Sequence, residues 1–219
     1  MENKSVMKYI NCFTLFVVLY LYTLSTCIAQ NHDDSPNIIW IVSEDNSPLI
    51  GAYGDSNATT PNIDRLAKEG VLYENAYSNA PVCSPSRSTL ISGVYATSMG
   101  TQNMRSNYPF SEHIRFFPEY LKQAGYYTTN NSKTDYNTSS ENMKNMNLTW
   151  DESGKNAHYE NKSKDQPFFA VFNLMVSHES SLFPWEENLK HENSKIEIPP
   201  YLPRTPEMQH DAAQYYDVM

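Results

Sequence analysis

Cys83 carries the strongest chemical signature in this chain. It opens the run Cys-Ser-Pro-Ser-Arg at positions 83–87. Pro85 suits the first turn of a helix, so the run predicts a helix start with Cys83 at its N-terminus. Unpaired backbone N–H groups and the helix dipole favour an anion at such a position. The alternative for an isolated free cysteine is a buried small apolar filler.

Two carboxylates follow the first predicted strand. Residues 37–42 form a short apolar run, which predicts a central parallel strand buried on both faces. Glu44 and Asp45 come directly after it, where ligands gather at the carboxyl ends of strands. Paired carboxylates suit a hard divalent cation. The alternative for such a pair is a solvated loop.

Two further candidates also follow predicted strands. Lys133 comes after the aromatic and β-branched run 126–129, and His178 comes after the apolar run 168–173. Imidazole can exchange a proton near neutral pH, which suits His178 for acid–base work. A conventional cysteine hydrolase would need a histidine and an orienting carboxylate or amide beside Cys83, and the sequence identifies no such partner. Alkylation of the thiol would decide that alternative.

The remaining elements alternate between helices and strands, which predicts an α/β protein with a layered sheet. Thr60, Pro61 and Gly70 predict a capped helix between them. The other expected elements are a strand at 71–77, a helix from the 83–87 run to Ser92, a helix at 116–123, and a polar surface excursion at 131–166.

The first 29 residues predict a signal peptide, since a basic start precedes the apolar run 13–24 and a small-residue cleavage site at 27–29. Two alternatives are lipoprotein processing at Cys27 and an anchor retained at residues 9–28. The mature chain, residues 30–219, is then exported and periplasmic, secreted or a surface lipoprotein of a bacterium. No stable membrane span is expected after processing. Cys83 is then the only remaining cysteine, so it cannot form an internal disulfide.

The net charge of −9 argues against a nucleic-acid partner. No basic stripe is present that could release counterions from phosphates. Any local positive charge for an anionic substrate must therefore come from individually placed side chains and a metal.

The run at 83–87 resembles the Cys-x-Pro-Ser-Arg motif of the sulfatase family. From about Asn37 onward the chain looks like the N-terminal part of a sulfatase, and most like bacterial heparan-N-sulfatase-like members. The resemblance implies an alkaline-phosphatase-like α/β/α sandwich with a largely parallel central sheet. Sulfatase catalytic domains are longer than this chain, which ends at 215–219 within a predicted helix. Residues 30–219 are therefore expected to be a truncated catalytic domain.

The resemblance also implies roles for the residues around Cys83. A formylglycine-generating or anaerobic sulfatase-maturating enzyme would convert Cys83 to formylglycine, whose hydrate is the nucleophile. Glu44 and Asp45 would bind Ca²⁺ or Mg²⁺ together with the side chain at position 83. Glu44 stands where the family has aspartate. Arg87 would hold the modified side chain and balance its charge.

Lys133 matches the lysine of a Gly-Lys-x-His stretch that contacts the sulfate in sulfatases, with Asp135 in place of the family histidine. His178 matches a histidine that contacts the sulfate and helps to protonate the leaving alcohol. Residues 100–106 resemble a Gly-Thr-His-x-Met-Arg-Ser stretch, with Gln102 in the place of histidine. Arg105 would lie at the edge of the substrate.

The predicted function is that of a sulfuric ester hydrolase acting on a sulfated carbohydrate. A phosphonate or phosphate monoester hydrolase of the same superfamily is an alternative, as is a non-catalytic remnant or fragment that binds sulfated glycans. The family takes two further metal ligands from a later Asp-His-Gly-type strand end, which this sequence does not contain. The chain by itself is therefore expected to have little or no activity.

Overall fold

The computed structural model describes residues 35–139, 142–143 and 146–219, and residues 37–219 form one compact unit. The predicted signal peptide at residues 1–29 lies outside the described residues. None of the described helices is both long enough and apolar enough to cross a membrane. In chain order the elements are β1 (Ile38–Ser43), α1 (Pro61–Glu69), α2 (Cys83–Ser92), α3 (Ala96–Met99), α4 (Phe117–Gln123), β2 (Tyr127–Asn131), α5 (Met146–Thr149), β3 (Glu152–Ser153), β4 (Phe168–Leu174) and α6 (Pro206–Val218).

The four strands form one parallel sheet in the order β1-β4-β2-β3. Trp40 of β1 is in register with Val171 of β4, and Thr129 of β2 is in register with Ala170. Strand β4 was predicted to be buried, and its first four residues are buried. Because all strands run in the same direction, the loops after β1, β2 and β4 leave from one edge of the sheet.

Strand β1 is not the central, doubly buried strand that its apolar run predicted. It lies at one end of the sheet, and its burial alternates along the strand. Trp40 and Val42 pack against the core, while Ile39 and Ile41 are 52% and 58% exposed. A continuous apolar run is compatible with a strand buried on both faces. The run alone does not tell which neighbouring helices or strands will cover it.

The core on one face of the sheet is centred on Phe169, which is 2% exposed. Its ring lies 5.3 Å from Phe117, 6.0 Å from Trp150 and 6.2 Å from Trp40, measured between ring centroids. Tilted and stacked aromatic pairs at these distances add to the stabilisation from burial. This aromatic cluster fixes helix α4 against the sheet.

Two local predictions around α1 were wrong. The helix itself is confirmed at Pro61–Glu69, but the side chain of Thr60 does not cap it. Instead, Thr60 Oγ1 accepts from the N–H of Gly51 and donates to Asp64 Oδ1, both at 2.9 Å. Residues 71–77 form no strand, and their side chains are exposed, so the apolar residues there have no sheet partner.

The segment at 131–166 is more than the surface excursion that its composition predicted. Tyr136 and Trp150 are each 3% exposed and belong to the core. Strand β3 extends the sheet by pairing with β2. Isolated aromatic side chains in a polar stretch therefore determine the path of the segment, since each buries a large apolar area.

We expect Phe169→Ala to lower the free energy of unfolding by about 3–5 kcal/mol, because it removes the ring at the centre of the core. Phe183→Ala is the matched control, since Phe183 is 77% exposed, and it should change stability by less than about 0.5 kcal/mol. Urea unfolding followed by circular dichroism measures both. Equal losses for the two variants would contradict this description of the core.

Candidate active site

Helix α2 begins at Cys83, as its sequence predicted. Val82 is extended, with φ −151° and ψ 151°, and Gly93 ends the helix with φ 71°. Cys83 is partly exposed, whereas Ser84 and Ser88 below it are fully buried. Because its neighbours are packed, the N-terminus of α2 holds the side chain of residue 83 in a fixed place at the carboxyl edge of the sheet.

Glu44 is a buried carboxylate between two cations. It is 7% exposed, and its Oε2 accepts a 2.5 Å hydrogen bond from Lys133 Nζ. Its Oε1 lies 4.0 Å from Arg87 Nη1. Burying a carboxylate is costly unless it is paired and hydrogen-bonded, and Lys133 and Arg87 supply that pairing for Glu44. Glu44 and Lys133 are thus in direct contact although they are 89 positions apart in sequence.

Arg87 holds the loop that carries Lys133. Its Nε donates to Thr134 O at 2.6 Å, and its Nη2 donates to Lys133 O at 2.5 Å. The side chain of Asn130 also donates to Lys133 O, at 3.2 Å. The guanidinium lies 5.7 Å from the ring centroid of Tyr136. Burial raises the pKa of Tyr136 to about 12 although the charge of Arg87 opposes the shift, so Tyr136 is neutral at physiological pH.

His178 is oriented by its own turn. Its Nδ1 accepts from the N–H of Ser180 at 3.2 Å and lies 2.8 Å from Ser180 Oγ. The neutral ring therefore carries its proton on Nε2, which lies 3.9 Å from Asp45 Oδ2. When the ring is doubly protonated, Ser180 Oγ can accept from Nδ1. In that tautomer Nε2 offers a hydrogen-bond donor rather than a lone pair.

Asp45 is half-exposed and adopts a positive φ of 54°. Its Oδ2 accepts from the N–H of Glu179 at 3.4 Å, which links the loops after β1 and β4. Tyr215 of α6 is also close, since burial and then the charge of Asp45 raise the pKa of Tyr215 to about 12. No local pattern predicts that α6 lies near Asp45, because 170 positions separate Asp45 from Tyr215.

The carboxylate oxygens beside residue 83 suit a hard cation, whereas the thiol sulfur of Cys83 is a soft donor. Ligand atoms of Glu44, Cys83 and His178 lie within 4.8 Å of one another, and Asp45 lines the same open cavity of about 460 Å³. Because Lys133 holds only one oxygen of Glu44, the other is available to a cation. His178 has Nε2 protonated in its neutral form, so the carboxylates of Glu44 and Asp45 are the fitting donors. They supply fewer oxygen atoms than the roughly six to eight that calcium takes.

Asp135 has a structural partner on each side. It accepts from Ser84 Oγ at 2.6 Å and from Arg105 Nη2 at 3.3 Å. The sequence marked Asp135 only as a departure from a histidine, and no signal indicated that it joins α2 to the loop of Arg105. Arg105 is 64% exposed. Gln102 is exposed. Its side chain makes no hydrogen bond to the other candidate residues in the described part of the chain.

The charges around the cavity nearly cancel. Glu44 and Asp45 supply two negative charges, and Lys133 and Arg87 supply two positive charges. An anion entering this site therefore meets no net attraction from these four side chains alone. A bound divalent cation or a protonated His178 would add the missing positive charge.

We expect Arg87→Lys to lower the free energy of unfolding by about 1–3 kcal/mol, because one ammonium group cannot reproduce two directed bonds to backbone carbonyls. Arg105→Lys is the matched control and should have little effect, since Arg105 is exposed. Thermal unfolding measures both variants. A loss at position 87 no greater than that at position 105 would show that the buried guanidinium does not hold the Lys133 loop.

The family match and the similar known proteins all belong to one family. The chain matches the sulfatase family over residues 36–217. It is 33% identical to the ulvan-active sulfatase of Formosa agariphila, in an alignment that covers 96% of this chain and 45% of that protein. It is 32% identical to the N-acetylglucosamine-6-O-sulfatase of Bacteroides thetaiotaomicron over 57% of this chain and 22% of that protein. The chain thus spans less than half the length of these relatives.

Solved structures support the same fold. A 2-O GAG sulfatase superposes with a TM-score of 0.52 and 19% identity, covering 78% of this chain and 42% of the other. A Bacteroides thetaiotaomicron structure superposes with a TM-score of 0.54 at the same identity and coverage. The predicted α/β class is confirmed, and the fold is the alkaline-phosphatase-like fold with a parallel sheet.

Proposed function

The chain belongs to the sulfatase family, and from that premise we propose that it carries the nucleophile end of a sulfuric ester hydrolase active site. One observation carries the proposal: residue 83, at the N-terminus of α2, lies with ligand atoms of Glu44 and His178 within 4.8 Å of one another. The Lys133–Glu44 ion pair borders the same place. A candidate nucleophile, an imidazole and an ammonium group thus lie around the same carboxylate, which is the grouping that hydrolysis of a sulfate ester requires.

The nucleophile is proposed to be formylglycine, made from Cys83 by a formylglycine-generating or anaerobic sulfatase-maturating enzyme. Its hydrated aldehyde supplies a hydroxyl at the helix N-terminus, where backbone N–H groups stabilise developing negative charge. Arg87 positions this site from below by fixing the Lys133 loop. The ammonium of Lys133 donates to Glu44, and a further N–H of the same group can bind a sulfate oxygen.

His178 is proposed to protonate the leaving alcohol. Ser180 holds its Nδ1 side, so Nε2 faces the cavity and delivers the proton. Glu44 and Asp45 would hold Ca²⁺ or Mg²⁺ together with residue 83. When bound, such an ion supplies positive charge to the sulfate oxygens and lowers the pKa of a coordinated hydroxyl. Gln102 and Arg105 are proposed as outer substrate contacts, with Arg105 anchored on Asp135.

The substrate is proposed to be a sulfated carbohydrate. Residues 1–29 are proposed to be a signal peptide, so that the mature chain, 30–219, would be exported. The similarity to an ulvan-active sulfatase makes ulvan the first polysaccharide to test. The similarity to an N-acetylglucosamine-6-O-sulfatase makes N-acetylglucosamine 6-sulfate the second. Both tests require the chain to be co-produced with a formylglycine-generating enzyme.

We expect mass spectrometry to find aldehyde in place of thiol in the peptide that contains residue 83. Calcium-dependent sulfate release should be slow, because the described donors leave the ion incompletely coordinated. Cys83→Ala should abolish release, and His178→Ala should lower the rate by about 10²–10⁴-fold if the histidine is the proton donor. Ion chromatography of released sulfate measures both.

Control assays use a phosphate monoester and a phosphonate monoester in parallel. Faster release of phosphate than of sulfate would replace the proposed function by that of a phosphoester hydrolase. An unmodified thiol with no release of either anion, together with retained binding of ulvan, would indicate a non-catalytic glycan-binding protein. His178→Gln provides a second test, because it keeps a hydrogen-bond donor but cannot transfer a proton.

A further inference from the structure

Trp185 presents one bare face of its indole ring beside the candidate active site. It is 59% exposed, yet its other face stacks on His210 with ring centroids 3.4 Å apart and planes within 3°. We propose that Trp185 is a stacking platform for a pyranose ring of the saccharide chain that bears the sulfate. The inference rests on the proposed function and adds a binding subsite to it.

The platform is rigid before any ligand arrives. His210 and Gln214 of α6 are 7% and 3% exposed, and both bind the backbone around Trp185. His210 Nε2 donates to Glu186 O at 2.8 Å, and Gln214 Nε2 donates to Pro184 O at 2.7 Å. Gln214 Oε1 also accepts from the N–H of Glu186, at 3.3 Å. A ring fixed in this way loses little conformational entropy when a ligand covers it.

The platform lies close to the site because the same elements build both. The turn Glu179–Leu182 starts directly after His178 and packs on α6, and Trp185 follows it by three residues. On α6, Tyr215 approaches Asp45, and His210 lies about 7–8 Å along the helix axis from Tyr215 at the usual rise per residue. A saccharide chain with its sulfate at residue 83 that runs along the turn after His178 would lead toward Trp185.

The chemistry of the surface selects a sugar. An indole offers a flat apolar face that matches the axial C–H groups of a pyranose, while the hydroxyl groups stay in water. A tryptophan that is 59% exposed presents roughly 150 Å², which is far below the area of a protein interface. Phe183 is 77% exposed two residues earlier and can contact the same or the next unit.

The test compares Trp185→Ala, Trp185→Phe and the matched control Tyr120→Ala, since Tyr120 is 54% exposed on α4. Each is placed in the Cys83→Ala chain, and binding of ulvan is measured by isothermal titration calorimetry. We expect Trp185→Ala to weaken binding by about two- to tenfold. Trp185→Phe should retain most of the affinity, and Tyr120→Ala should match its parent chain.

In the chain co-produced with a formylglycine-generating enzyme, hydrolysis of 4-nitrophenyl sulfate should be unchanged by Trp185→Ala, because this ester carries no neighbouring sugar. A loss on the small ester equal to the loss on ulvan, or a lowered melting temperature in both Trp185 variants, would make Trp185 a structural residue and overturn the platform. Unchanged ulvan affinity in Trp185→Ala would also overturn the platform proposal. Sulfate release by the wild-type chain would in that case leave the proposed function standing. A wild-type chain that neither binds ulvan nor releases sulfate would overturn both.

Discussion

Arg87 commits two of its N–H groups to backbone carbonyls in a loop that has no regular structure. That loop carries Lys133, which in turn holds Glu44 at the end of β1. Because the guanidinium is buried, its bonds are shielded from competing water, and leaving either carbonyl unpaired would be costly. The relative positions of α2, the Lys133 loop and the loop after β1 thus depend on one side chain that belongs to the same motif as the nucleophile.

The polar side chains at the carboxyl edge of the sheet differ in how far they are buried. On one side, Glu44 is buried and balanced by cations, which suits a fixed electrostatic role. On the other side, Asp45 and His178 are more exposed and contact each other through a 3.9 Å pair. The strand edge thus combines a buried, ion-paired carboxylate with a more exposed carboxylate–imidazole pair.

Sequence reasoning predicted those parts of this molecule whose signals are local. The start of α2, the buried β4 and the placement of candidates after strands are properties of short segments, and parallel topology then brings the strand ends together. It could not predict that β1 ends the sheet, because the run at 37–42 is equally compatible with a central strand. It also missed Tyr215 and the Asp135 link between Ser84 and Arg105, since such contacts depend on tertiary packing across many residues.

The position of β1 has a consequence for how the protein behaves in solution. Its outer edge has no strand partner within the described sheet, and Ile39 and Ile41 are exposed on one face. Residues 38–42 are uncharged, strongly β-prone and free of proline and glycine, which is the composition that pairs edge to edge between molecules. Association of two copies through this edge would depend on protein concentration. It would involve the same strand that precedes Glu44 and Asp45.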